Sequence, residues 1–557
     1  PMMARTLGGI ASTVVFLLII VGLVLLIACG NVASMLLARG MNRASEFAIR
    51  ASMGAGKKGL VRQLLTESFV MALVGGAVGI LIAFWGVDAL KAVLPESIPR
   101  AHLIQVNLRV LGHASFITIV TGLMAGMAPA LFAARTNLAE TIKHGRASRG
   151  GTRSRFLSGM IVAQLAVGFV LVNSAIVLAV SYRNVMKQPT NFATEEAVVT
   201  GLSLAGPAYD TPLKRRTFYR DLLERVRGFP GVTGAGITSK LPLRGGSNSG
   251  VMVQDQVYDP QADFGLVEFS FAGDGYLEAM GIGLLSGRTL DLRDMEIASV
   301  MAGDSDALIE LPVVINRAMA EEFWPESEAL GELVRPASAH EYFRARVVGI
   351  VENVRQWGPD QDPLPEMYFP HTAELWGAIS AQLIIRAGTD PEALVPLVRA
   401  AVDELDSTLP LAASITMAKI LKDSTGGRRF SMLLVSLFAV TALLLIIAGT
   451  YGVVSYSVSQ RTHEIGVRMT LGANKGRVAR QFLRQVGALM GFGLALGILG
   501  ALVVSQIIRS MVYGISAINP LQMSLAASVM VLVALAATAG PVLRAIGVDP
   551  LEAMSAD

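Results

Sequence analysis

Seven stretches of this chain are long and apolar enough to cross a lipid bilayer, and that constrains its fold more than any other feature. A spanning helix needs about 20 mostly apolar residues. Residues 10–37, 69–94, 116–134, 156–182, 432–457, 486–508 and 523–542 each meet that demand and hold almost no charge, as the cost of placing ionised groups in hydrocarbon requires. Only 16% of the 557 residues are charged and 52% are hydrophobic, with a mean hydropathy of +0.53, whereas soluble proteins average about 25% charged. A net charge of +4 is too small to suggest a nucleic-acid partner. Cys29 is the sole cysteine, so no internal disulfide exists. Leu26-Ile27-Ala28-Cys29 has the look of a lipoprotein cleavage box, but the apolar run continues through Val32, Met35 and Leu37 to Arg39 and Arg43. That pattern is a membrane span with a basic flank, not a leader.

Basic residues orient the spans, because Lys and Arg accumulate on the cytoplasmic side. One loop holds Arg39, Arg43, Arg50, Lys57, Lys58 and Arg62, and the next-but-one holds Arg135, Lys143, Arg146, Arg149, Arg153 and Arg155. A third holds Arg461, Arg468, Lys475, Arg477, Arg480 and Arg484. These alternate with loops poor in charge, 95–113 and 512–518, so every basic loop is expected in the cytoplasm. The fold class expected is therefore a membrane α-helical protein of about seven spans carrying one large α+β domain outside. The boundaries read as 1–150 for a first membrane domain of three spans, 151–183 for one further span, 184–428 for the outside domain and 429–557 for a second membrane domain. In the outside domain, β-rich runs at 197–204, 267–271, 313–315 and 346–351 alternate with amphipathic helices at 213–227 and 391–405.

The chain also repeats itself. Glu46-Phe-Ala-Ile-Arg50-Ala-Ser-Met-Gly54-Ala55 matches Glu464-Ile-Gly-Val-Arg468-Met-Thr-Leu-Gly472-Ala473 at a constant offset of 418 residues. The offset carries Arg43 onto Arg461, Lys57 onto Lys475, and Gly75 and Gly79 onto Gly493 and Gly497. Glu46 and Arg50, like Glu464 and Arg468, stand four apart on one helical face, and Gly54 and Gly472 follow as helix stops. An amphipathic segment resting on anionic lipid accounts for one such element. Recurrence of the whole charge-and-glycine pattern points instead to docking of a cytoplasmic partner. Gly75, Gly79, Gly493 and Gly497 form GxxxG pairs, which let membrane helices pack closely. Each full unit reads as one span, an outside domain and three spans; the first copy is expected to lack its opening span and domain, as an N-terminal shortening would leave it.

Catalytic patterns fail. Gly54-Ala-Gly-Lys57-Lys58 has Ala51 where a phosphate loop needs its leading glycine and Lys58 where it needs Ser or Thr. His463-Glu464 is followed by Val467 where a zinc-protease helix carries its second histidine. Gly245-Gly-Ser247-Asn-Ser249 lacks the closing glycine of a nucleophile elbow. The six histidines are scattered, so neither an enzyme nor a metal site is expected.

Glu464–Ala473 and its copy at 46–55 resemble the cytoplasmic signature of FtsX-type permease domains. The outside domain resembles the periplasmic core of MacB-type permeases through Phe229-Pro-Gly-Val232, Leu241-Pro-Leu-Arg-Gly245, Gly287-Arg288 and Val313-Val-Ile-Asn316 leading to Ala320 and Phe323-Trp-Pro325. Val347-Val-Gly-Ile-Val-Glu-Asn-Val-Arg355 and Pro365-Glu-Met-Tyr-Phe-Pro370 extend the match. The order of parts is similar to that of duplicated permeases with two such units in one polypeptide. The resemblance implies an inner-membrane ABC permease that binds no cofactor itself. A separate cytoplasmic ABC ATPase dimer would supply ATP and Mg chemistry and grip short helices at Glu46, Arg50, Gly54 and at Glu464, Arg468, Gly472. ATPase motion would pass through the membrane helices to the periplasmic domain by mechanotransmission, exporting or extracting a compound or lipid-linked cargo. Membrane lipid and a periplasmic adaptor or cargo protein are the further partners implied. The alternative within the same resemblance is a non-transporting, FtsX-like regulator of periplasmic cell-wall enzymes.

Overall fold

The computed structural model describes residues 2–42, 57–93, 104–135, 150–253, 266–301, 309–336, 343–372, 380–388, 390–460, 467–470, 474–516 and 518–547. The chain divides into two compact units, one of Pro1–Asn184 with Arg428–Asp557 and one of Val185–Gly427.

The first unit is helical. Its long helices are α1 (Met2–Asn42), α2 (Lys57–Val93), α3 (Leu108–Arg135), α4 (Gly150–Met186), α11 (Gly426–Gln460), α12 (Lys475–Ile508) and α13 (Pro520–Ile546). All seven contain a segment long and apolar enough to span a bilayer, from Thr13–Leu37 to Pro520–Ala545. Helix α13 starts where Asn519 accepts a hydrogen bond from the Leu521 amide, with Pro520 in the first turn, a position where a missing N–H costs nothing.

The repeat is visible in these helices. An offset of 418 carries α1 onto α11 and α2 onto α12, and an offset of 412 carries the first residue of α3 onto that of α13, and Pro129 onto Pro541. Their environments differ nonetheless. The buried core draws on α1 (Phe16, Ile20), α4 (Leu165, Phe169), α11 (Val435, Ile446), α12 (Met490, Ile508) and α13 (Ala526, Met530). Over its most apolar 18 residues α4 is mostly buried, whereas α2 over its own is not, its buried residues Leu64 and Ser68 lying near its start. Helix α2 packs on α3 through Gly76, Gly122 and Gly126, where a Cβ would press on Thr118, Ala72 and Ser68 respectively.

The second unit matches the α+β expectation. Its strands are β1 (Ala197–Ser203), β2 (Val232–Thr238), β3 (Ser247–Val253), β4 (Leu266–Ala272), β5 (Leu284–Gly287), β6 (Ile309–Asn316), β7 (Leu333–Pro336), β8 (Phe343–Val351), β9 (Glu366–Pro370), β10 (Ser380–Ala387) and β11 (Ile415–Thr416). The helices are α5 (Pro212–Arg227), α6 (Tyr276–Ala279), α7 (Leu292–Met301), α8 (Arg317–Phe323), α9 (Val395–Leu405) and α10 (Met417–Ser424). One part is the antiparallel order β11-β1-β10-β2, with α5 and α9 on one face. Alternation along β10 sends Leu383 and Ile385 toward those helices and Ile384 to the opposite core, as the period of two in a pleated strand demands. The amphipathic stretch at 391–405 begins as a 3-10 turn, Pro391–Leu394, whose start Asp390 caps by accepting from the Glu392 amide.

A single pairing, Thr238 with Ala272, links that sheet to the second part. There the order β4-β3-β7-β8-β6-β9 returns on itself, because β9 also pairs with β4 in parallel. Ring closure removes exposed edges and encloses a core that includes Val267, Phe271, Val313, Val347 and Phe369. The closing register sets Glu268 opposite Glu366. Both are buried, at 1% and 0% side-chain exposure, and Lys240 lies between them, 2.9 Å from one carboxylate and 3.7 Å from the other. Gln356 and Tyr368 donate to Glu366, and Trp357 donates to Glu268.

Candidate coupling site

The two elbows singled out by the repeat are unequally described. Glu46, Arg50 and Gly54 lie outside the described residues, as do Glu464 and Gly472. Arg468 is described, in a helical turn covering residues 467–470. Its Nη1 donates to Oε1 of Gln481 on α12 at 3.1 Å. The neighbouring Met469 packs into a small cluster made by Val458 at the end of α11, Phe482 in α12, and Val542 and Ala545 at the end of α13. The turn is therefore tied to three membrane helices at once. A displacement of the turn must be felt by all three, because close-packed side chains transmit strain.

Helix α12 opens beyond the turn with Asn474 accepting from the Gly476 amide at 3.4 Å. Its first turns hold Lys475, Arg477, Arg480 and Arg484, exposed and without an acidic residue in the first turn. Cations oppose the positive end of a helix dipole, a cost of about 0.3–1 kcal/mol each for those in the first turn, Lys475 and Arg477. An acidic surface brought against them removes that penalty. In the first copy, Lys58 and Arg62 of α2 border a cleft of about 550 Å³ whose apolar walls include Val61, Leu65 and Phe69. Gln63, the counterpart of Gln481, donates to Glu67 of its own helix at 3.2 Å.

The four packing glycines behave differently in the two copies. A Cβ at Gly493 would lie 2.7 Å from the Leu165 Cβ, and one at Gly497 would lie 2.8 Å from the Phe169 Cβ, so both allow close approach of α12 to α4. At Gly75 and Gly79 nothing stands within 4 Å of an added Cβ.

The membrane unit also buries polar groups that span-by-span reading passes over. Asn31 of α1 donates from Nδ2 to the Leu445 carbonyl of α11 at 2.6 Å. Its Oδ1 lies where a Cβ on Gly449 would sit, beside Gln164 of α4. Asn31 and Gly449 occupy the same position of the repeat, 418 residues apart, so the two copies meet there face to face. Comparing the copies position by position is the signal that finds the pair. Among the described residues no group of three or more His, Cys, Asp or Glu could hold a metal ion.

Residues 18–138 and 436–550 match the family described as FtsX-like permease C-terminal, so the similarity to that region occurs twice along the chain. Among curated proteins, the macrolide export ATP-binding/permease protein MacB of Agrobacterium fabrum is 28% identical over 224 residues, covering 37% of this chain and 33% of the relative. MacB of Neisseria meningitidis serogroup A is 26% identical over 266 residues, covering 44% and 37%. The pyoverdine export ATP-binding/permease protein PvdT of Pseudomonas aeruginosa is 29% identical over 191 residues, covering 31% and 28%. The chain thus spans about a third of the length of the curated relatives it matches. Among solved structures, the periplasmic region of MacB from Actinobacillus actinomycetemcomitans is 12% identical, with 42% of this chain and 95% of that chain covered at a TM-score of 0.27. The extracellular domain of the transporter YknZ from Gram-positive bacteria is 12% identical, covering 39% and 100% at a TM-score of 0.24. With its seven helices long and apolar enough to span a bilayer, the chain is a multi-pass membrane protein that is similar to FtsX-like permeases and to MacB.

Proposed function

We propose that this chain is the permease subunit of an ABC transporter and converts the motion of a separate cytoplasmic ATPase into movement of its α+β domain. It sits in the inner membrane, with residues 185–427 on the periplasmic side. In this reading ATP and Mg are supplied by the partner. The cytoplasmic elbows are the points of grip, formed by Glu46, Arg50 and Gly54 in one copy and by Glu464, Arg468 and Gly472 in the other. The observation that carries the reading is the seating of the second elbow, with Arg468 bonded to α12 and Met469 wedged among the ends of α11, α12 and α13. A push on that turn tilts or slides helices as rigid bodies, the usual output of a packed bundle. The domain at 185–427 is joined covalently to the membrane unit after Asn184 and before Arg428, so motion of α4 and α11 reaches it at both ends.

Export or extraction of a compound or a lipid-linked cargo is the work this arrangement suits, in keeping with the export proteins it resembles. The cargo need not cross the bilayer centre, because the force is delivered to the periplasmic domain.

Co-purification tests the reading. Expressed with its ATPase, the chain should retain it through affinity purification, and the double substitution Arg50→Glu with Arg468→Glu should release it. Retention of the ATPase by the double variant would remove the docking claim.

A further inference from the structure

Near the basic start of α2, Lys58, Val61, Arg62, Leu65, Thr66 and Phe69 recur at spacings of three and four residues, the signature of one helical face. With Leu123 of α3 they line the cleft of about 550 Å³. The bilayer-crossing segment of α2 begins at Val61, and Leu123 lies inside that of α3, Leu108–Met127. Lys58 therefore stands just before the span and Arg62 in its first turn. Phe69 is eleven residues beyond Lys58, about 16 Å further along the axis. Long cationic side chains lay their methylenes along apolar surface and keep their charge at the water. Among the described residues, no ion pair engages Lys58 or Arg62. Glu67, the first acidic residue of α2, projects from the opposite face, at 100° per residue, and accepts from Gln63 at 3.2 Å. The second copy does not reproduce this arrangement. The offset of 418 sets Gly476 at the position of Lys58 and Gly487 at that of Phe69, and a Cβ on either would meet nothing within 4 Å. Both positions are open in that copy too, but only the first copy supplies the cation and the aromatic wall.

We propose that this cleft binds an acidic phospholipid of the cytoplasmic leaflet, its phosphate held by Lys58 and Arg62 and one acyl chain laid along Val61, Leu65, Phe69 and Leu123. Charge complementarity selects the headgroup, and depth selects a lipid over a protein. The apolar wall continues into the spanning segments of α2 and α3, where a water-soluble partner does not reach and an acyl chain already resides. The inference rests on where α2 enters the bilayer and does not depend on the transport reading.

Native mass spectrometry of the full chain, released from detergent with added phosphatidylglycerol or phosphatidylcholine of the same acyl chains, reads the occupancy. One phosphatidylglycerol should bind ahead of the rest, and phosphatidylcholine should not match it. Lys58→Gln with Arg62→Gln should weaken that first lipid about 25-fold, about fivefold for each cation. Both side chains are exposed, so the fold tolerates the change. Arg477→Gln with Arg480→Gln removes the same charge from exposed positions of the second copy and should leave the first lipid in place. Val61→Trp, which fills the cleft, should weaken it about tenfold or more, since each methylene kept from apolar contact costs about fourfold. Glycerol phosphate, the headgroup without its chains, should not displace it even at about a hundredfold excess, because buried methylenes supply much of the affinity. Displacement by glycerol phosphate would make this a phosphate site and not a lipid site. An equal loss in the second-copy variant would reduce it to general attraction between lipid and basic protein. Undiminished binding in the Lys58 and Arg62 variant would leave the cleft to a cytoplasmic protein. Each of these results would overturn the proposal.

Discussion

Replacing Lys240 with methionine removes a cation that two buried carboxylates, Glu268 and Glu366, share. The register of β4 against β9 places Glu268 and Glu366 directly opposite each other, an arrangement that is destabilising for like charges on neighbouring strands. Lys240, 11% exposed, stands 2.9 Å from one and 3.7 Å from the other. Methionine keeps the unbranched apolar stem, one atom shorter, and deletes the charge. Gln356, Tyr368 and Trp357 still donate to the carboxylates, but none of them carries positive charge. Removing one partner of a buried ion pair costs about 3–5 kcal/mol. For a unit of 150–250 residues, each kcal/mol lowers the melting temperature by roughly 2–4 °C, so a fall of about 6–20 °C is expected. The assay is thermal unfolding of the full chain in detergent, followed by tryptophan fluorescence, since Trp357 donates to Glu268 at 3.2 Å and reports on the cluster. A second substitution separates charge from packing. Lys240→Met with Glu268→Gln should recover at least half of the loss, because only one buried carboxylate then remains. A single variant destabilised by less than about 1 kcal/mol, or a double variant no better than the single one, would refute the reasoning.

Three further outcomes are expected. Burial, with a smaller contribution from the Arg215 charge, lowers His371 from 6.5 to about 4. The unfolded chain therefore binds a proton that the folded chain refuses between those values, so stability falls as pH drops through 6.5 and levels off near 4, by about 3 kcal/mol in all. Urea titrations at pH 7.5 and 5 should show that slope, and His371→Phe, placed against Tyr219, should flatten it; parallel curves for the two proteins would contradict the assignment. Gly497→Leu should destabilise the membrane unit by about 1–3 kcal/mol in an SDS-unfolding titration, since a side chain there overpacks α4, whereas Gly79→Leu should change it by less than about 0.5 kcal/mol; equal effects would show that the two repeat positions are not distinguished by packing. Met469→Ala should loosen the elbow, and amide hydrogen exchange at residues 467–470 should speed up about tenfold while α4 is unaffected; unchanged exchange would mean that Met469 does not hold the turn.

What the amino-acid order determines by itself is whatever lipid or local geometry enforces. A bilayer accepts only long apolar runs, so the seven spans are legible from residue 10 to residue 542, and the alternation of basic loops orients them. The helix at Pro212–Arg227 and the strand at Ala197–Ser203 are legible for the same reason, their periodicity being local. The repeated Glu/Arg/Gly elbow is legible because the chain supplies its own comparison at an offset of 418 residues. Non-local pairing is what the tertiary structure decides. Nothing near Glu268 in sequence announces that Glu366 lies opposite it, since the register of a closing strand depends on the whole ring. Asn31 looks like an isolated polar residue in an apolar run until α11 places Leu445 and Gly449 against it. Two GxxxG pairs at matching positions read alike, yet one is filled by α4 and the other has open space beside it. Close packing is a property of two surfaces, and a sequence states only one of them at a time.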